Sequence, residues 1–391
     1  MSRSSPQMIN AFQRAGWLPL SEADLIKWVK GVVIEVSKRD APLLPVVQNF
    51  QTLIETNSEL YMGFNQMFEQ QPPSSLIFNK IIQEAPFYGP IGPPFYMVLS
   101  AAMNTQGGFT TFLSNQLNAI PCVARIRSVL TNNPGGWFSS PALKAMTDNF
   151  DGLPFEQIFV SDPSAQYWGY KSWDDFFVRT LQPGIRTLQA AENPNVINAA
   201  CESQLYNISK KVQERDTFWI KGEPYSLLDM LNQDEAAPQF MGGTVFQGFL
   251  SVTGYHRWHA PVTGVVRKVV KVPGTYFCQS PATLGETDNP YLRSLAFITS
   301  LATRMLIFIK SENERIGLMC FIAVGMTEVS TCEATVKEGD RVERGDELGM
   351  FHFGGSTHVL IFRPEANVKF FDGVDNPGSM VEVRAAIGGV A

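Results

Sequence analysis

From about residue 195 the chain is cut into short β-branched and aromatic runs separated by Gly, Pro, Asp and Asn, a texture that points to a β-rich fold. "GTVFQGFLSVTGYH", "TGVVRKVVKV", "MLIFIK" and "LMCFIAVGMTEVSTCEATV" are the clearest runs, with "DTFWIKG" ahead of them. Such runs suit a sandwich or barrel with a few helices. "YSLLDMLN" reads as one short helix, and "SWDDFFVRTLQPGIR" as a helix and turn where the β-rich part begins.

Upstream the period changes. "LSEADLIKWVKGVVIEVSKR" offers Ser21 as an N-cap and Glu22 and Asp24 in the first turn, followed by Leu25, Trp28, Val29, Val32 and Val33 at helical spacing. "VVQNFQTLIETNSELYMGFNQMFEQ" repeats the pattern until Pro72-Pro73 stops it. "SSPALKAMTDNF" offers Ser140 as N-cap and Pro141 as the first helical residue. The expected fold class is α+β, with a helical N-terminal domain over 1–165 and a β-rich domain over 166–391. A chain of 391 residues is long enough for two such units.

Composition narrows the function. A 45% hydrophobic and 17% charged chain builds a substantial core. Its net charge of −6, with no long basic run, argues against a nucleic-acid partner. No stretch approaches the ~20 apolar residues of a membrane-spanning helix, and the first residues lack a secretory signal's apolar region. The five cysteines are scattered, with no CxxC or zinc spacing, and read as reduced thiols of a cytoplasmic protein without a structural metal.

Two stretches carry reactive groups. In "YHRWHAP", His256 and His259 stand three apart, which sets them on opposite faces of a strand but lets them converge in a turn. Either can serve in acid–base work near neutral pH. The pair reads equally as structural or as this acid–base site; as metal ligands it lacks a third His or carboxylate at characteristic spacing. In "FHFGGSTHVLIF", Ser356 follows two glycines and is sterically open. Its hydroxyl can attack the carbonyl of Gly355 if a base takes its proton, while the plain alternative is a Gly-Gly hairpin turn. His352 and His358 flank the same bond. Trp258 between the first two histidines suits either core packing or stacking on an aromatic ligand.

Several of these stretches, in order, resemble the phosphatidylserine decarboxylase family. "GDELGMFHFGGSTHVLIF" is similar to its C-terminal signature and "FLSVTGYHRWHAPVTGVV" to its histidine motif. "YKSWDDFFVRTLQPGIR", "FWIKGEPYSLLDML" and "VPGTYF" resemble three further blocks, so that the likeness spans roughly 167–385. "GWLPLSEADL", "APFYGPIGPPFYMVLSAAMNT", "AACESQLYNIS" and "MTEVSTCEATV" resemble a soluble fungal branch of the family, that of the L-tryptophan decarboxylases, over nearly the whole chain.

The resemblance implies self-cleavage between Gly355 and Ser356, leaving a pyruvoyl group made from Ser356 and no requirement for PLP. The C-terminal fragment 356–391 then remains as a partner of the rest. It implies Ser356 as nucleophile and His259 as its base. The family's third residue is an aspartate; "NAACESQL" puts Glu202 there, a departure that lengthens the side chain by one methylene. His256 matches the first family histidine and is the expected acid that reprotonates the product carbon. The implied activity is decarboxylation of a small-molecule aromatic L-amino acid such as tryptophan, phenylalanine or tyrosine. The alternatives are phosphatidylserine decarboxylation and, of another class, a non-catalytic lipoyl-like binding module. "HAPVTGVVRKVVKVPGTYF" and "EATVKEGDRVERGDELGMF" share the hairpin pattern of lipoyl-type carriers, but no lysine stands at the expected tip.

Overall fold

The structure, a computed structural model, describes residues 137–214, 225–251, 253–274, 295–326, 331–352 and 356–391, together with Thr52, Glu55, Thr56, Ser58, Leu130 and Asn132. Most of the expected helical domain over 1–165 lies outside the described residues, including the runs that begin at Ser21 and "APFYGPIGPPFYMVLSAAMNT". So do "DTFWIKG", Cys122, Cys278 and Gly355.

The described residues build an eight-stranded antiparallel sheet. Its strands are β2 (Ser203–Lys210), β3 (Thr244–Leu250), β5 (Gly264–Val272), β6 (Arg304–Ser311), β7 (Leu318–Gly325), β9 (Arg341–Val342), β11 (Ser356–Phe362) and β13 (Met380–Val381), in the order β13-β2-β3-β11-β7-β6-β5-β9. The strand β11 lies between β3 and β7, and every one of its residues is buried. That is why Val359–Phe362 is an unbroken apolar run: a central strand covered on both faces has no solvent side to alternate with, and the polar Ser356, Thr357 and His358 are the exceptions. A second sheet, of β4 (Arg257–His259), β10 (Glu347–His352) and β8 (Thr331–Ala334), has the order β4-β10-β8. A third joins β1 (Val196–Asn198), β14 (Ala386–Gly389) and β12 (Lys369–Phe370).

The two faces of the large sheet have separate cores. Leu360, Phe321 and Ile307 face a cluster that includes Trp258 and Phe351 of the small sheet. The alternate residues Val359, Ile361, Ile322 and Leu306 face a cluster with Leu227, Met230, Leu295 and Ile298. The first cluster also takes in the helical segment ahead of the sheet, where α1 (Ser140–Thr147), α2 (Phe155–Ile158) and α3 (Trp173–Phe177) bring Phe138, Phe155 and Phe176 into edge and stacked contacts. The expected cap of α1 shifts by one: Ser139, extended at φ −65° and ψ 150°, is the N-cap, and its carbonyl accepts from Leu143 N at 2.9 Å. At α3 the expected helix forms with Ser172 Oγ accepting from Asp175 N at 2.9 Å. The short helix in "YSLLDMLN" is α4 (Leu227–Met230), capped by Ser226.

Two arginines fix this helical segment to the histidine stretch. Arg179 is buried and donates to the carbonyls of Thr253 (2.7 Å) and Gly254 (2.8 Å), with its guanidinium 4.3 Å from the centre of the Phe159 ring. Arg257 donates to Val178 O at 2.7 Å and pairs with Glu347 at 2.7 Å.

Candidate active site

Ser356 opens β11 opposite Leu250 of β3 and Gly325 of β7. It is fully buried, and its hydroxyl has no hydrogen-bond partner among the described residues, as is also true of Ser203 Oγ. A buried hydroxyl left unpaired carries a desolvation penalty of about 1–3 kcal/mol. An unpaired oxygen is also free to act as a nucleophile.

His259 ends β4 and is 2% exposed. Its ring is held from both sides. Nδ1 lies 2.8 Å from the Gly345 carbonyl, which can only accept, and 3.3 Å from an Arg384 guanidinium nitrogen, which can only donate; the shorter contact assigns the proton to Nδ1 and leaves the guanidinium as a neighbouring cation. Nε2, 3.0 Å from the Tyr255 hydroxyl, then accepts, and the two rings stack. Burial, and next the Arg384 guanidinium, push His259 down to about 3, with the Gly345 carbonyl opposing. At neutral pH the ring is therefore an uncharged base with its lone pair on Nε2. The carbonyl that orients it comes from a turn with φ +86° at Gly345, a conformation that glycine adopts without strain.

Glu202 lies just beyond Ala200, whose carbonyl accepts from His259 N at 2.8 Å. Its carboxylate is not bonded to the imidazole. Arg186 grips it with two nitrogens, at 2.7 and 3.1 Å, and Oε2 accepts from Val383 N at 2.9 Å. Burial raises the Glu202 pKa, with Arg186 opposing.

His256 precedes β4 and faces different surroundings. Its ring stacks on Phe177 at 4.0 Å, Nδ1 is 3.1 Å from the Gly254 carbonyl, and Nε2 is buried without a partner. Burial, then Arg179, push it down to about 3. The two histidine rings thus have different neighbours, Phe177 for His256 and Tyr255 for His259. Trp258 is core: fully buried, it packs on Phe321 at 5.4 Å and Phe351 at 5.1 Å. His358 shares the sheet face of Ser356 and is also buried, with Nδ1 unpartnered.

His352, the last residue of β10, is clamped by two carboxylates. Nδ1 is 2.9 Å from Asp174 of α3 and Nε2 is 2.9 Å from Glu333 of β8. Burial works against its charge, but the two carboxylates outweigh it and raise the pKa. The clamp therefore stabilises the fold fully below the ordinary histidine pKa of about 6.5 and fades as pH rises through the folded value. We expect His352→Gln to lower the thermal midpoint at pH 6 and to match the parent by pH 9; an equal gap at both pH values would show that the clamp carries no charge.

A cleft of about 560 Å³ opens where Val269, Lys271 and Met305 meet Glu333 and Lys337. It is bounded by β5 and β6 on one side and by β8 on the other, where Glu333 also bonds His352. Among the described residues no cluster of three or more His, Cys, Asp or Glu could hold a metal ion, and no helix is long and apolar enough to cross a membrane.

Sequence reasoning did not single out Tyr255, Gly345, Arg186 or Arg384. Tyr255 and Arg186 sit inside quoted motifs, but their partners are distant in the chain and no local spacing announces them.

The geometry is that of a buried serine at the head of a central strand with a neutral histidine held on a neighbouring sheet. The profile described as phosphatidylserine decarboxylase matches residues 173–388, and a second profile of that description matches 44–121. The chain belongs to the phosphatidylserine decarboxylase family, whose members are pyruvoyl-dependent carboxy-lyases that cleave themselves. It is 38% identical to an L-tryptophan decarboxylase of Psilocybe cubensis, over 96% of this chain and 94% of that one. It is 40% identical to an L-tryptophan decarboxylase of Psilocybe cyanescens, over 97% and 95%. A phosphatidylserine decarboxylase proenzyme of Oryza sativa subsp. japonica is 29% identical over 66% of this chain and 40% of its own length.

Proposed function

We propose that the chain is a pyruvoyl-dependent decarboxylase of aromatic L-amino acids that matures by cutting itself between Gly355 and Ser356. The observation that carries the substrate class is the near-full-length likeness to L-tryptophan decarboxylases, against partial coverage by the phosphatidylserine enzyme. The orphaned hydroxyl of Ser356 fits the origin of the pyruvoyl group.

In this reading the Tyr255 hydroxyl gives up its bond to His259 Nε2, Nε2 takes the Ser356 proton, and Oγ bonds to the Gly355 carbonyl carbon. The C–N bond then breaks, and the nitrogen of residue 356 is protonated, leaving an ester between the two pieces. β-Elimination then expels the new carboxylate of Gly355 and leaves a dehydroalanine at 356, whose imine tautomer adds water and releases ammonia to give the keto group. The pyruvoyl group supplies an electron sink when the substrate loses its carboxylate as carbon dioxide. His256, neutral and with its Nε2 lone pair unpartnered among the described residues, is the residue we assign to take up a proton from water and pass it to the product carbon. Glu202 is the acidic member, reaching His259 through the backbone it holds at Val383 instead of through the ring.

We read 1–165 as the helical domain and 166–391 as the catalytic domain, with lipoyl-like hairpins in the β4–β5 and β8–β10 regions. Free, buried thiols at Cys201, Cys320 and Cys332 support a cytoplasmic setting.

The test sets free tryptophan, phenylalanine and tyrosine against phosphatidylserine in liposomes, measuring released carbon dioxide. Turnover of the amino acids supports the reading, and turnover of lipid alone replaces it with phosphatidylserine decarboxylation. For His256→Ala we expect normal cleavage with amine formation lost by about 10²–10⁴-fold; unchanged amine formation removes His256 from the chemistry.

A further inference from the structure

Arg384 stands in the left-handed region at φ +66°, where a side chain other than glycine is disfavoured. Its backbone is tied there on both sides: its N–H donates to Ala199 O at 2.9 Å, and its carbonyl accepts from Gln189 N at 3.1 Å and from Asn198 Nδ2 at 2.8 Å. A strained residue held this firmly calls for a side-chain reason. The side chain provides one. Arg384 Nε donates to the Gly345 carbonyl at 3.1 Å, the same oxygen that accepts from His259 Nδ1, and a terminal guanidinium nitrogen lies 3.3 Å from that Nδ1.

We propose that Arg384 is a positioning residue for self-cleavage: it pins the Gly345 carbonyl against Nδ1 and sets its cation beside the ring, so that His259 keeps its lone pair on Nε2 for the Ser356 proton. This rests on the self-cleavage reading above. Arg384 belongs to the piece 356–391 that the cut would create, so this piece carries both the nucleophile and the group that prepares its base. Glu202 completes the linkage, since it holds Val383 N, the residue next to Arg384. That gives the acidic member of the site a role with no contact to the imidazole.

The charged groups bearing on the ring are Arg384 and Arg257. Glu347 neutralises Arg257 and Glu202 is taken by Arg186, while burial raises the Tyr255 pKa and keeps that hydroxyl uncharged. Among the described residues Arg384 is thus the cation at the site without an acidic partner, and substitution can remove it. The informative variant is Arg384→Gly, because glycine relaxes at φ +66° and folding is retained.

The experiment uses the full-length chain with ¹⁵N-labelled histidine in the uncleavable Ser356→Ala background. His259 is assigned by its absence from a His259→Gln sample. In the parent, His259 stays neutral, with the proton on Nδ1, well below pH 6. In Arg384→Gly the midpoint for protonation rises by about one pH unit or more, and Arg384→Lys, which restores a cation, returns it toward the parent. In the cleavable chain, the acid limb of the self-cleavage rate moves upward by the same interval in Arg384→Gly. An unchanged midpoint, or an Arg384→Lys shift equal to that of Arg384→Gly, overturns the proposal. Failure of the parent chain to cleave at all would instead reject the self-cleavage reading, which the ring titration does not depend on.

Discussion

Ser356→Ala is expected to leave the chain full length and devoid of decarboxylase activity. The substitution removes one oxygen from a fully buried residue. That oxygen has no partner, so its loss strands no donor or acceptor and leaves the core intact. The thermal midpoint should equal or exceed that of the uncut parent. Mass analysis under denaturing conditions should give one species of 391 residues, where the parent gives pieces 1–355 and 356–391. Carbon dioxide release should fall to the uncatalysed background, a loss of at least about six orders of magnitude. His259→Ala should cut slowly while folding normally. A Ser356→Ala chain that still divides at residue 355 would assign the nucleophile elsewhere.

Arg186→Met is expected to be the most destabilising single change in the site, at about 3–5 kcal/mol, because it leaves a carboxylate buried without its partner. The Arg186 side chain is 8% exposed and that of Glu202 is 3% exposed, so water cannot replace the lost guanidinium. Arg186 also bonds Glu382 at 2.9 Å and lies 4.1 Å over the Phe150 ring, so part of the loss is packing. The effect depends on pH in a fixed direction. Burial already raises the Glu202 pKa, and losing Arg186 raises it further. A carboxyl that prefers its proton when folded destabilises the fold as pH climbs above the unfolded value, so the penalty should be larger at pH 8 than at pH 5. Urea unfolding at both pH values measures it. Replacing both partners, as in Arg186→Met with Glu202→Leu, should recover most of the stability. If Glu202→Ala cuts at the parent rate, Glu202 is purely structural.

Much of the β-rich half is legible in the chain because burial writes itself into composition. The seven residues of β11 are buried on both faces, and the apolar run Val359–Phe362 shows it. The same holds for β6 and β7, where "MLIFIK" and "LMCFIAVG" lie inside the strands. The short helices α3 and α4 are legible from Ser172 and Ser226, whose hydroxyls serve as caps. The site is less legible. His256 and His259 are close in sequence, but Phe177 and Tyr255 draw their rings into separate surroundings. The contacts of His259 with Gly345 and Arg384 span 86 and 125 positions, and periodicity carries no information at that range. The replacement of aspartate by glutamate at position 202 is visible in the sequence. That Arg186 and Val383 occupy this carboxylate is a property of the folded chain alone.

The seat of β11 between β3 and β7 has a bearing on the mature molecule's lifetime. Its residues Ser356–Phe362 pair on both sides throughout their length. A chain cut just before them therefore keeps its tail as the middle slat of the sheet, clasped without any covalent link. Folding happens once, while the polypeptide is continuous. If heat or denaturant later opens the sheet, the tail diffuses away, and recovery becomes a second-order encounter between two fragments. If the chain is cut there as proposed, unfolding becomes a one-way event, and the working form persists by the height of its escape barrier.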